Sequence, residues 1–128
     1  MKETTYVIVM ITCSSRKEAL KIKKVLLEER KVACINIIPK VESFFWWAPT
    51  PPPPSRLQRA PAKIDSAHEV LILAKTKAIM FKEIVTLVKK IHKYEVPEII
   101  DLPIIGGNKE YLKWIGESLS YPEKKKRK

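Results

Sequence analysis

A chain of 128 residues, 45% hydrophobic and 30% charged, fits one soluble domain built on a single two-layer core. It excludes a spanning helix, because no apolar run approaches the roughly 20 residues one needs. It also excludes a disulfide framework, because Cys13 and Cys34 are the only cysteines. The net charge of +11 points to nucleic acid only until the charges are located. Five of them lie in Lys124–Lys128 and two more, Arg56 and Arg59, in a proline segment without acids, which leaves +4 for the body. A body of +4, with lysines and glutamates interleaved, argues against a nucleic-acid partner. No signal peptide is read at the N-terminus, so the expected location is cytoplasmic.

The first element, "TYVIVMITC" from Thr5 to Cys13, is β-branched and almost continuously apolar, which predicts a central strand covered on both faces. A helix follows, with Ser15 as N-cap and Glu18 three residues on, a capping-box spacing. Its Ala19, Ile22, Val25 and Leu26 form the buried stripe and its lysines the wet face. "VACINIIPKVESFFWW" returns to strand chemistry, with Pro39 at a bend or an edge. The segment 48–62 then interrupts a hairpin. Its "TPPPPSR" sets Pro51, Pro54 and Arg56 in a P-x-x-P-x-R arrangement. A polyproline II helix puts the two prolines on one face, where they suit an aromatic groove of the SH3 type. A stiff spacer, natural or engineered, is the other reading.

"AHEVLILAKT" predicts a third strand with His68 as an exposed edge residue, and Thr76 is expected to cap the next helix. That helix runs through "KAIMFKEIVTLVKKIHK", with Met80, Phe81, Ile84, Leu87, Val88 and Ile91 as its stripe. Pro97 stops it, and "EIIDLPII" predicts a fourth strand. Gly106 and Gly107 turn the chain, and Asn108 caps a last helix in which Tyr111 and Trp114 are expected to be core residues. The tail 121–128 has no apolar face and is expected to be disordered.

The order strand, helix, strand, strand, helix, strand predicts an α+β fold of the ferredoxin-like, split βαβ (βαββαβ) type with an extra C-terminal helix, over residues 1–120 interrupted by 48–62. Two helices cover one face of such a sheet, yet the strands are apolar on both, and Phe44, Phe45, Trp46 and Trp47 add four adjacent aromatics. That surplus predicts a closed oligomer.

In order along the chain, "ITCSS", "ACINIIP", "SFFWW", "KIDSAHEVLILAKT", "IHKYEVPEII" and "GNKEYLKWI" resemble the CutA family of divalent-cation tolerance proteins, from Tyr6 to about Leu119. The chain departs from the family pattern H-P-Y-E-x-P-E at Lys93, and a short Gly-containing turn has become 48–62. The resemblance implies a homotrimer of ferredoxin-like subunits, similar in architecture to PII signalling proteins, and a non-enzymatic link to divalent metal, notably copper.

By that resemblance His92 is a metal ligand. Imidazole with carboxylates suits copper or zinc, so Cys13 and Glu95 are the candidates to join it. A helix-end histidine also serves the helix dipole, and Cys13 also reads as a small buried thiol. Tyr94, Glu95, Pro97 and Glu98 could line a pocket between subunits, where a PII-like sensor would hold a small molecule. No nucleophile–base pair or phosphate loop is present in the sequence, so no enzyme is predicted.

Overall fold

The computed structural model describes residues 2–47 and 63–121. The proline-rich segment with Pro51, Pro54 and Arg56, and the basic tail from 122 on, lie outside the described residues. The elements are β1 (Tyr6–Cys13), α1 (Arg16–Glu28), β2 (Cys34–Trp47), β3 (Lys63–Lys77), α2 (Phe81–Ile91), β4 (Ile99–Pro103) and α3 (Lys109–Glu117). One antiparallel sheet has the order β2-β3-β1-β4. That is the predicted ferredoxin-like plan, with β2 and β4 as edge strands.

Alternation along β1 decides what each face of the sheet meets. Val7, Val9, Ile11 and Cys13 are fully buried toward the helices, as are Ile72 and Ala74 of β3. Against them pack Ala19, Ile22 and Leu26 of α1 and Ile84 and Val88 of α2, with Met80 from the 3-10 turn Ala78–Met80 that precedes α2. Each fully buried isoleucine or leucine contributes about 1.5–3 kcal/mol of transfer free energy. The opposite face is apolar too: Ile8 pairs with Leu102, Met10 with both Ile100 and Leu73, and Leu71 with Ile38. Ile38, Ile100 and Leu102 are exposed.

Past the pair Cys13–Val70, β1 ends and the β2–β3 hairpin continues without it, from Val41–Glu69 to Trp47–Lys63. Phe44, Trp46 and Ile64 share one face of this extension, exposed by 71%, 71% and 67%, and Phe45 and Trp47 share the other. Pro39 does sit at a bend. The β2–β3 register shifts between Ile38 and Val41, with Lys40 at φ 59°. His68 is exposed beyond the end of β1, as expected.

Two expectations are corrected. Thr76 does not cap α2: it is buried at the end of β3, where its hydroxyl donates to the Lys31 carbonyl at 2.7 Å, and the 3-10 turn starts the helix without a side-chain cap. Tyr111 and Trp114 are not core residues. They are 42% and 44% exposed, while Ile115 and Gly116 are the buried residues of α3. Asn108 does cap that helix, its Oδ1 accepting from the Glu110 and Tyr111 amides at 2.9 and 3.3 Å. Gly116 lets α3 approach the sheet: a methyl group there would meet the Tyr6 hydroxyl at 3.3 Å.

Candidate functional site

Three chain segments meet at one corner of the core: the end of β1, the first turn of α1 and the end of α2. β1 delivers Cys13, fully buried on the helix side. The turn through Ser14 and Ser15 starts α1, and the Ser15 hydroxyl accepts from the Glu18 amide at 3.1 Å. The reciprocal arm of the capping box goes elsewhere. Glu18 Oε1 accepts from the Ser14 amide at 2.8 Å and the Ser14 hydroxyl at 3.0 Å, and Oε2 accepts from the Lys93 amide at 2.5 Å. A carboxylate in the first turn also complements the helix dipole. Burial pushes the Glu18 carboxyl up, but the hydrogen bonds from Ser14 and the Lys93 amide outweigh it and hold the group below its ordinary value.

His92 closes α2 with an extended backbone, and its side chain is fully buried. Nε2 donates to the Thr12 carbonyl at 2.7 Å, and Nδ1 accepts from the Tyr94 amide at 3.0 Å. These partners fit the neutral Nε2–H tautomer, since a carbonyl only accepts and an amide N–H only donates. The Glu18 carboxylate stands 3.7 Å from Nδ1.

Cys13, Glu18 and His92 offer one sulfur, one oxygen and one nitrogen donor, all within 4.8 Å of one another. The structure therefore brings two of the expected ligands together and puts Glu18 in the third place. Glu95 is not part of this cluster. It lines a separate depression of about 190 Å³ with Val85, Lys89 and Pro97. The donor types suit a borderline cation. The bonding is that of a site already satisfied by the protein: both Glu18 oxygens hold donors, Nδ1 holds the Tyr94 amide, and the Cys13 thiol is pushed up to about 12 by burial, helped by Glu18 and Glu69. A cation entering here must displace the thiol proton and the Tyr94 amide.

The four residues expected to share a pocket divide between two sites. Tyr94 and Glu98 line a cleft of about 800 Å³ where the 94–98 segment faces the hairpin extension, whereas Glu95 and Pro97 belong to the small depression. The Tyr94 hydroxyl donates to Glu69 Oε2 at 3.0 Å. Burial, then this bond, push its phenol up to about 12.

Sequence reasoning missed Glu18 and Glu69 as site residues. The signal for Glu18 was present, a carboxylate in the helix turn directly after Cys13, but the cap alone accounted for it. Glu69 gave no signal, because its partner lies 25 positions on.

Fold and site together define a small ferredoxin-like α+β protein with a buried thiol–carboxylate–imidazole corner and an apolar sheet face that its own helices leave open. The family model for "CutA1 divalent ion tolerance protein" matches residues 7–118. A "Divalent-cation tolerance protein CutA" of Archaeoglobus fulgidus is 39% identical over 111 residues, 87% of this chain and 95% of the relative. The solved divalent cation tolerance protein of Thermus thermophilus superimposes with a TM-score of 0.77 at 37% identity, covering 90% of this chain and 99% of that one. CutA1 from Oryza sativa gives 0.78 at 30% identity, covering 92% and 96%. The chain belongs to the CutA1 divalent ion tolerance family. It spans about half to two thirds of the length of the curated vertebrate and plant relatives it matches.

Proposed function

We propose that this protein is a homotrimeric, non-catalytic member of its family that handles divalent cations, copper foremost, as transient cargo. The observation that carries the cation reading is the convergence of Cys13, Glu18 and His92 donors within 4.8 Å. Transience follows from the bonds already in place, since each donor has a protein partner or a firmly held proton to give up. The open apolar sheet face and the two free edges of the sheet support the trimer. The reading includes a cytoplasmic location, which suits two free thiols.

Anaerobic calorimetric titration with Cu(II) and Zn(II), repeated in buffers of different ionisation enthalpy, tests the cation reading. Wild type is expected to release about one proton per ion, because the Cys13 thiol is protonated at neutral pH. Cys13→Ser and His92→Gln, each shown to be folded by circular dichroism, are expected to weaken binding about tenfold or more. Isotherms unchanged in both variants would remove this corner as the site.

A further inference from the structure

Two successive backbone amides occupy the thiol–carboxylate–imidazole corner. The Lys93 amide donates to Glu18 Oε2 at 2.5 Å, and the Tyr94 amide donates to His92 Nδ1 at 3.0 Å. Those two acceptor atoms stand 3.7 Å apart. Two ligands at about 2.0–2.1 Å around one tetrahedral ion stand roughly 3.3 Å apart, so the amides fill much the same place that an ion would. Both amides belong to the connection between α2 and β4, where Lys93, Tyr94, Glu95 and Val96 are exposed in the single chain. The chain's own core does not hold this stretch. The two amide bonds do, together with the Tyr94 hydroxyl on Glu69 Oε2 at 3.0 Å.

We infer that the 93–94 backbone is an internal plug of this corner, which competes with the cation for Glu18 and His92 and is expelled on loading. The inference rests on the cation reading above and deepens it by naming what regulates the site. An imidazole Nδ1 has a single lone pair, so it serves the Tyr94 amide or an ion and never both. An ion on that lone pair stands about 2.0–2.1 Å from Nδ1. The amide nitrogen at 3.0 Å lies on the same side of the ring and must leave. A carboxylate oxygen has a second lone pair, so the Lys93 amide weakens what Glu18 Oε2 gives a cation without forbidding it. By reciprocity, whatever holds 93–94 in place weakens cation binding by the same factor. Tyr94 extends that coupling to the hairpin, since its hydroxyl bond to Glu69 braces the residue whose amide is the plug.

Zn(II) calorimetry and hydrogen–deuterium exchange on the full chain test it, with wild type, Lys93→Pro and Tyr94→Phe. Proline has no amide hydrogen, and His92 already holds the extended backbone, φ −77° and ψ 141°, that a following proline requires. Each variant removes one hold on the plug and is expected to bind Zn(II) about two- to tenfold more tightly than wild type. Because the two act on different bonds, either variant that folds carries the comparison. Saturating Zn(II) is expected to speed exchange of the peptide 92–98 at least about tenfold and to leave exchange across β1 unchanged. Two results would overturn the plug and leave the cation reading standing: equal or weaker binding in the folded variants, or an unchanged 92–98 peptide in a wild type that binds through Cys13 and His92. Absence of binding in every form would remove both.

Discussion

The Lys93 backbone amide donates to the Glu18 carboxylate at 2.5 Å across 75 positions of sequence, tying the exit of α2 to the first turn of α1. With the Ser14 bonds on the other oxygen, one side chain satisfies the amides of two separate loops. Glu18→Ala leaves those groups unpaired in a partly buried corner, at a cost of about 1–3 kcal/mol. Urea unfolding should show the midpoint fall with an unchanged slope. Glu18→Gln, which retains one acceptor oxygen, should lose less.

The same residue sets an acid limit. Its carboxyl is held below 4.5 in the folded protein, so its contribution is fully present above the unfolded value. That contribution is lost as pH falls from about 4.5 through the lower folded value. Stability measured between pH 6 and pH 3 should decline more steeply in wild type than in Glu18→Gln.

Tyr94 gives the converse at alkaline pH. Its phenol, pushed up to about 12, adds stability that is complete below pH 10 and disappears as pH rises through 12. Ultraviolet titration should show one tyrosine ionising after the others. Tyr94→Phe should abolish that late step, at a cost of about 0.5–1.5 kcal/mol for the lost Glu69 bond.

Cys13 has no exposed surface and a thiol pushed up to about 12, so almost no thiolate is available at pH 8. Iodoacetamide should leave Cys13 unmodified in the folded protein and label it fully in denaturant. Peptide mass mapping distinguishes the two cases.

The β2–β3 ladder runs without a break from Val41 to Trp47, pairing Trp47 with Lys63, so the segment 48–62 joins two residues that are already partners. Replacing it with a short Gly-containing turn should keep the assembly and stabilise the chain by at most about 2 kcal/mol, the difference in loop-closure entropy. Loss of assembly in that form would make the segment structural.

The sequence made the order of elements legible because period and punctuation agreed: a β-branched run before Ser15, apolar spacing in both long helices, Pro97 before the last strand. It also made the surplus apolar face legible, since alternation in β1 and β3 put hydrophobic residues on both sides. Thr76 was misread because a threonine before a helical pattern has the chemistry of a cap, and the nearby Lys31 carbonyl that claims its hydroxyl is 45 positions away. Tyr111 and Trp114 were misread because helical spacing does not say which face of α3 the sheet takes. Two of the three residues of the metal-capable corner were visible in Cys13 and His92. Glu18 was visible only as a cap and Glu95 only as a neighbour in sequence.

The central claim is that the open sheet face of Ile8, Met10, Leu73, Ile100 and Leu102 is covered by two further copies of the chain. Sedimentation velocity at micromolar concentration tests it most directly. The account predicts a single species of three times the 14.8 kDa chain mass. A folded species of one chain mass, stable at that dilution, would contradict it.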